Sequence, residues 1–276
     1  MYIATMLNQN NLFQHFGGWV SKPRNNEGNE LQVFLFRATQ CVISLLRLEY
    51  LKGICISQYQ KQEQNLNIKT EKIVFWSPTF VEFLNEFSPF LSSLRIMQNL
   101  IIPIIGKSYG LKNSLPSSMN DAMKKIYTYG FDKFICDTLT EYWDSNGKDI
   151  RDYRDIDQHY HVLIKHSFMQ IKPNENLLVL LPDNPKEKNI RFDLKRNALP
   201  YFVDSFNNFH TTIEKIAFYM GFSSNPISQT VLLEQIGELT EGVKQTLALM
   251  IEDTIKCSGF EFGQTEDRRI YAQPLI

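Results

Sequence analysis

The 276 residues carry 29 basic and 30 acidic side chains, a formal charge of −1. That balance excludes a global electrostatic pull toward nucleic acid or membranes, so any polyanion has to be gripped by a local patch. A hydrophobic share of 43%, with 13% aromatics, excludes a disordered chain and is enough for a packed core.

Cys41, Cys55, Cys136 and Cys257 are widely spaced and form no CxxC pair, which predicts buried free thiols in a reducing compartment. Met1 to Leu12 lacks a basic segment followed by a sustained apolar run, so no signal peptide is predicted. The most apolar run, Leu94 to Ile105, is too short to span a bilayer and contains Arg95, Gln98 and Asn99. The expectation is a soluble, cytoplasmic protein with no membrane contact.

In chain order, residues 1–29 are rich in Asn, Gln and Gly. They predict a loose arm, with a short helix or strand near Leu12 to Val20. From Glu30 to about Gln62, Leu31, Phe34, Leu35, Ala38, Val42, Leu45, Leu46 and Leu48 recur at helical steps. Lys72 to Trp76 is a short strand or an extended entry to the next helix. Ser77-Pro78-Thr79 opens that helix with a capping hydroxyl and a proline in the first turn. Its apolar face runs from Phe80 to Met97, with kinks expected at Pro89 and Pro103. Ser117-Ser118 opens a second helix, Met119 to about Trp143. Ser145-Asn146-Gly147 predicts its end, with glycine in the left-handed position.

A third helix is predicted from about Lys148 to Gln170. Leu177 to Leu181 and Asn189 to Leu194 then form a hairpin around Pro182-Asp183-Asn184-Pro185. The fourth helix runs from about Asn197 to Met220. Beyond it, Thr240 to Lys256 reads as helical and Arg269 to Ile276 as a strand. The expected fold is mainly α: a four-helix bundle over 77–221 with a β-hairpin inserted near 177–194. An N-terminal arm and helix (1–76) and a C-terminal extension (222–276) flank it.

The third helix carries the one crowded set of titratable residues, Ile150-Arg151-Asp152-Tyr153-Arg154-Asp155-Ile156-Asp157-Gln158-His159-Tyr160-His161. At about 100° per residue, Tyr153, Ile156 and Tyr160 fall on one side. Arg151, Arg154, Gln158 and His161 fall on the other, with Asp155 and His159 beside them. Guanidinium offers a fixed fork for phosphate oxygens, and imidazole exchanges a proton near neutrality. Together they hold the elements of RNA cleavage without metal: a base for the 2′-hydroxyl, an acid for the leaving 5′-oxygen, and a cation for the transition state.

Arg154-Asp155-Ile156-Asp157-Gln158-His159 has the form Arg, four residues, His, with a polar residue directly after the arginine. It resembles the signature of HEPN domains, which lies on the third helix of a four-helix bundle. The resemblance covers roughly residues 77–221. It implies a metal-independent endoribonuclease with no cofactor, acting as a homodimer on RNA and leaving a 2′,3′-cyclic phosphate. Many such proteins serve as toxins or in antiviral defence, with an antitoxin partner. By the same resemblance Arg154 stabilises the transition state, His159 is the acid/base, and Asp155 supports them. His161 competes for the histidine role, and Arg151 and Gln158 are supporting candidates. The alternative within the family is a non-catalytic scaffold that binds a partner protein, such as a nucleotidyltransferase, or a nucleotide.

Plainer readings stand beside these. Arg154 and His159 also fit a solvated helix face with local ion pairs such as Arg151 to Asp155. His159 and His161 diverge on a helix, so a metal site is not expected. Phe80 to Phe90 reads as core, and His166 and His210 as structural histidines. Trp143 reads equally as a cleft residue or as packing against the hairpin.

Overall fold

A computed structural model describes residues 14–63, 72–73, 76–111, 115–160, 167–170, 176–185, 191–224, 260–264 and 270–274. The chain divides into two compact units, Asn29–Phe209 and Met1–Gly28 with His210–Ile276. The protein is mainly helical, with small antiparallel sheets.

The 29–209 unit begins with the body of α2 (Gly28–Glu63), where Leu31, Phe34, Ala38, Cys41, Leu45 and Leu48 are fully buried. The expected stripe of helical spacing is therefore the inner face, except that Cys41 and not Val42 is buried there. The helix expected at Ser77 starts there: the Ser77 hydroxyl accepts from the Phe80 N–H at 3.1 Å and opens α3 (Pro78–Asn85). Helix α4 (Phe87–Ser108) follows after a break at Glu86. The break fits Pro89, which lacks an N–H and crowds the carbonyl four residues earlier. Pro103 lies inside α4, which runs on past it.

The second predicted helix is not continuous. It comprises α5 (Met119–Met123), a 3₁₀ turn at Ile126–Thr128, and α6 (Lys133–Tyr142). Gly130 at φ +82° takes a left-handed turn that no helix interior accommodates. The predicted stop at Ser145-Asn146-Gly147 is also corrected. The chain passes through a π-helical turn, Trp143–Gly147, straight into α7 (Lys148–Tyr160). Gly147 is not left-handed. It lies so close to Tyr142 and Trp143 that a Cβ would sit 2.8 and 2.9 Å from their ring carbons.

The third predicted helix does not reach Gln170. Ser167–Gln170 is strand β2, flanked by β1 (Lys72–Ile73) and β3 (Asn176–Val179) in a three-stranded antiparallel sheet. Met169 pairs with Leu177, and both are buried. Pairing on both edges satisfies the β2 backbone, and this tertiary gain overrides the helical run read from the sequence. The predicted 177–181 strand is largely β3, which pairs with β2; of its predicted partner 189–194, the described residues 191–194 are not a strand. Arg191–Leu194 instead forms a loop gathered by Asp183. Its carboxylate accepts from the Asp193 and Leu194 N–H groups at 2.7 and 3.0 Å.

Helix α8 (Ala198–Tyr219) matches the fourth predicted helix. Phe202 is its hub, within 6.0 Å, centroid to centroid, of Phe87, Phe90 and Tyr153. One ring thereby ties α8 to α4 and α7. Two stretches, Gly28–Lys61 and Pro78–Ser108, are long and apolar enough to cross a membrane, and 50% and 61% of their most apolar 18 residues are buried inside the protein.

In the other unit, α1 (Gln14–Ser21) is the helix allowed for near Val20. Glu214 accepts from the backbone N–H groups of His15 and Phe16 in its first turn, both at 2.9 Å. Trp19 stacks on Phe222 with centroids 4.9 Å apart. Strand β4 (Phe260–Gln264) pairs antiparallel with β5 (Ile270–Pro274), so a strand does form within the predicted 269–276. The predicted 240–256 helix lies outside the described residues.

A candidate phosphate site on helix α7

Helix α7 buries Ile150, Tyr153 and Ile156, as its periodicity requires. A clamp sets its rotation. Tyr153 donates to the Pro182 carbonyl at 2.7 Å and accepts from Arg196 at 2.8 Å. Arg196 also pairs with Asp149 at 3.5 Å, and Tyr201 donates to the same carboxylate at 3.1 Å. Burial is the main cause that pushes the Tyr201 hydroxyl up to about 12, so these phenols stay protonated.

With that face locked, Arg154, Asp155 and Gln158 turn outward, and Arg151 lies on the same side but mostly covered. Gln158 donates to Ser92 of α4 at 3.4 Å. The four-residue ion pair Arg151–Asp155 does not form; each arginine pairs with its own neighbour instead. Arg151 meets Asp152 at 2.6 Å and Arg154 meets Asp155 at 3.1 Å. The two pairs differ in burial. The Arg151 side chain is 13% exposed over a buried Asp152, and it also donates to Asn120 of α5. The Arg154 side chain is 34% exposed, and its Nε is buried with no hydrogen-bond partner among the described residues. The exposed part of this always-charged guanidinium is suited to an incoming oxyanion.

His159 lies in the last turn of α7, one turn beyond Asp155. Its side chain and all of His161 lie outside the described residues, as do His166, Lys165 and Lys172. The structure therefore brings Arg151, Arg154, Asp155 and Gln158 to one helix face.

Two participants are absent from the sequence motif. Asp152 is one. Arg95, on α4, is the other. Its guanidinium lies 5.8 Å from the Trp143 ring centroid, and that of Arg151 lies 5.5 Å from the same centroid. Trp143 is thus a buried floor beneath two cations. Burial first, and then the charge of Arg151, hold the Arg95 pKa below its usual value; Arg154 adds to this, and Asp155 opposes it. The one available signal was Arg95 interrupting the most apolar run of the chain.

Among the described residues, no three His, Cys, Asp or Glu side chains gather as a metal site requires. His210 is buried, and burial lowers its pKa to about 4, in line with a structural histidine. His15, for which the sequence suggests no partner, contacts the Phe222 carbonyl through Nδ1 at 3.1 Å. No protein-family model, curated protein or solved structure matches the chain.

Proposed function

We propose that the chain is a HEPN-type, metal-independent endoribonuclease of the cytoplasm, working as a homodimer. The observation that carries this reading is Arg154: a partly exposed guanidinium beside Asp155, on the helix whose other face is locked. The supporting electrostatics are local. Three arginines, 95, 151 and 154, interact in a protein whose net charge is near zero.

In this mechanism a histidine, His159 or His161, takes the proton of the RNA 2′-hydroxyl. The oxygen attacks the adjacent phosphorus, and the bond to the 5′-oxygen breaks. A second histidine, from the paired subunit, protonates that leaving oxygen. The product is a 2′,3′-cyclic phosphate. Arg154 offsets the charge that builds on the phosphoryl oxygens, and Asp155 holds Arg154 in place. A toxin or antiphage effector, neutralised by an antitoxin, is the setting that suits an unspecific RNase.

The intrachain pairs Arg151–Asp152 and Arg154–Asp155 favour a second reading, a non-catalytic HEPN-like scaffold that binds a nucleotidyltransferase or a nucleotide. An RNA cleavage assay in EDTA decides. The nuclease reading expects wild-type cleavage to a cyclic phosphate, and its loss in Arg154→Ala and in one of His159→Ala and His161→Ala. Equal rates in all of these proteins would sink it, and no cleavage by the wild type favours the scaffold.

A further inference from the structure

We infer that Arg95, with Arg151 over the Trp143 ring, forms a second phosphate subsite beside Arg154, which binds a neighbouring backbone phosphate of single-stranded RNA. The identity of the ligand rests on the ribonuclease reading; the site itself rests on geometry.

The charge balance is the first argument. Asp152 answers Arg151, and Asp155 answers Arg154. Among the described residues, Arg95 makes no ion pair, and its one hydrogen-bond partner there is Gln98 Oε1, at 3.0 Å. It nonetheless sits half-buried against a second guanidinium on the same ring. Desolvation and a like-charged neighbour both oppose such a placement. Guanidinium does not escape the cost by deprotonating at neutral pH. An anion relieves both penalties at once.

Preorganisation is the second. Gln98 is fully buried and anchored by its Nε2 to the Tyr142 hydroxyl at 2.7 Å and the Gly147 carbonyl at 3.1 Å. Its oxygen holds one edge of the Arg95 guanidinium and leaves the others for a ligand. Arg151 is fixed likewise by Asp152 and Asn120. The Arg95 fork suits a bidentate phosphate contact and loses little entropy on binding, while Arg151, its fork taken by Asp152, adds nearby positive charge.

Placement selects the ligand. The cluster spans two packed helices, with Arg154 at one side of it. A polynucleotide brings successive phosphates on one strand, which suits cations carried by two neighbouring helices. Trp143 is 7% exposed, so no base stacks on it. Contacts here are to the backbone and carry little sequence preference.

The test is fluorescence anisotropy on the full chain with a labelled 2′-O-methyl oligoribonucleotide, which lacks the attacking hydroxyl. Wild type is expected to bind at low salt. Arg95→Met should weaken binding about tenfold, the equivalent of one charge-assisted contact. It should also reduce the slope of log K against log salt by about 0.7. Its melting temperature should not fall, because an unanswered charge is removed. Arg95→Lys should keep the wild-type salt slope but bind more weakly, lacking the fork. The proposal is overturned by a wild type that does not bind, by Arg95→Met with unchanged affinity and slope, or by Arg95→Met that loses its fold. Binding without cleavage leaves the subsite standing and removes the nuclease reading. Cleavage with Arg95→Met binding unchanged does the reverse.

Discussion

Gln98 of α4 donates to the carbonyl oxygen of Gly147, 3.1 Å away in the π turn that leads into α7. The same amide donates to Tyr142 and accepts from Arg95. One buried side chain therefore holds the bend that aims α7 and one cation of the candidate site. Gln98→Leu keeps the volume but strands a buried hydroxyl and a guanidinium. The expected loss is about 2–4 kcal/mol, read as a lower urea midpoint with an unchanged slope. A midpoint equal to wild type would show that the amide is dispensable.

Gly147→Ala tests the bend itself. Helix propensity alone predicts a gain of about 1 kcal/mol for replacing glycine. The added methyl, however, meets the Tyr142 and Trp143 rings at 2.8 and 2.9 Å. Overpacking of this kind costs about 1–3 kcal/mol. A net loss of stability is expected in thermal unfolding. A stabilised variant would mean that the rings yield freely and that the π turn needs no glycine.

His210 should make stability depend on pH. Its folded pKa is about 4, lowered by burial from an ordinary value of 6.5. Between those values the unfolded chain binds the proton and the folded chain does not. Stability therefore falls as pH drops from about 6.5 toward 4, and the contribution is constant above that window. The two pKa values correspond to about 3 kcal/mol across it. His210→Gln should flatten the curve there when unfolding free energy is measured against pH. A parallel curve would assign the acid sensitivity to other groups.

Arg154→Ala separates chemistry from folding. The Arg154–Asp155 pair is one-third to one-half exposed, and such pairs contribute about 0–1 kcal/mol. Melting should therefore change little. Loss of a transition-state cation should lower the single-turnover cleavage rate by about 10²–10³. A variant that melts early and cleaves at the wild-type rate would reverse both expectations.

The long apolar periodicities were legible because burial of a helix face leaves a direct trace in spacing. Gly28–Glu63 and Ala198–Tyr219 lie close to their predicted bounds. The Ser77 cap was equally legible, since a cap uses residues within three positions of each other. The end of α7 was not. Ser167–Gln170 continues a run that reads as helix, and only its partners in β1 and β3 make it a strand. Gly147 misled for a related reason. Glycine marks both left-handed turns and close approaches, and the rings that choose between them are a tertiary matter.

By itself, then, the sequence determined the helical composition, the buried face of α7 and the outward presentation of Arg154 and Asp155. These follow from local spacing and from the cost of burying charge. Only the tertiary structure decided that Arg95, more than fifty residues earlier, joins Arg151 over Trp143. That meeting depends on how α4 and α7 pack, and packing is a contest among distant side chains that no local pattern records.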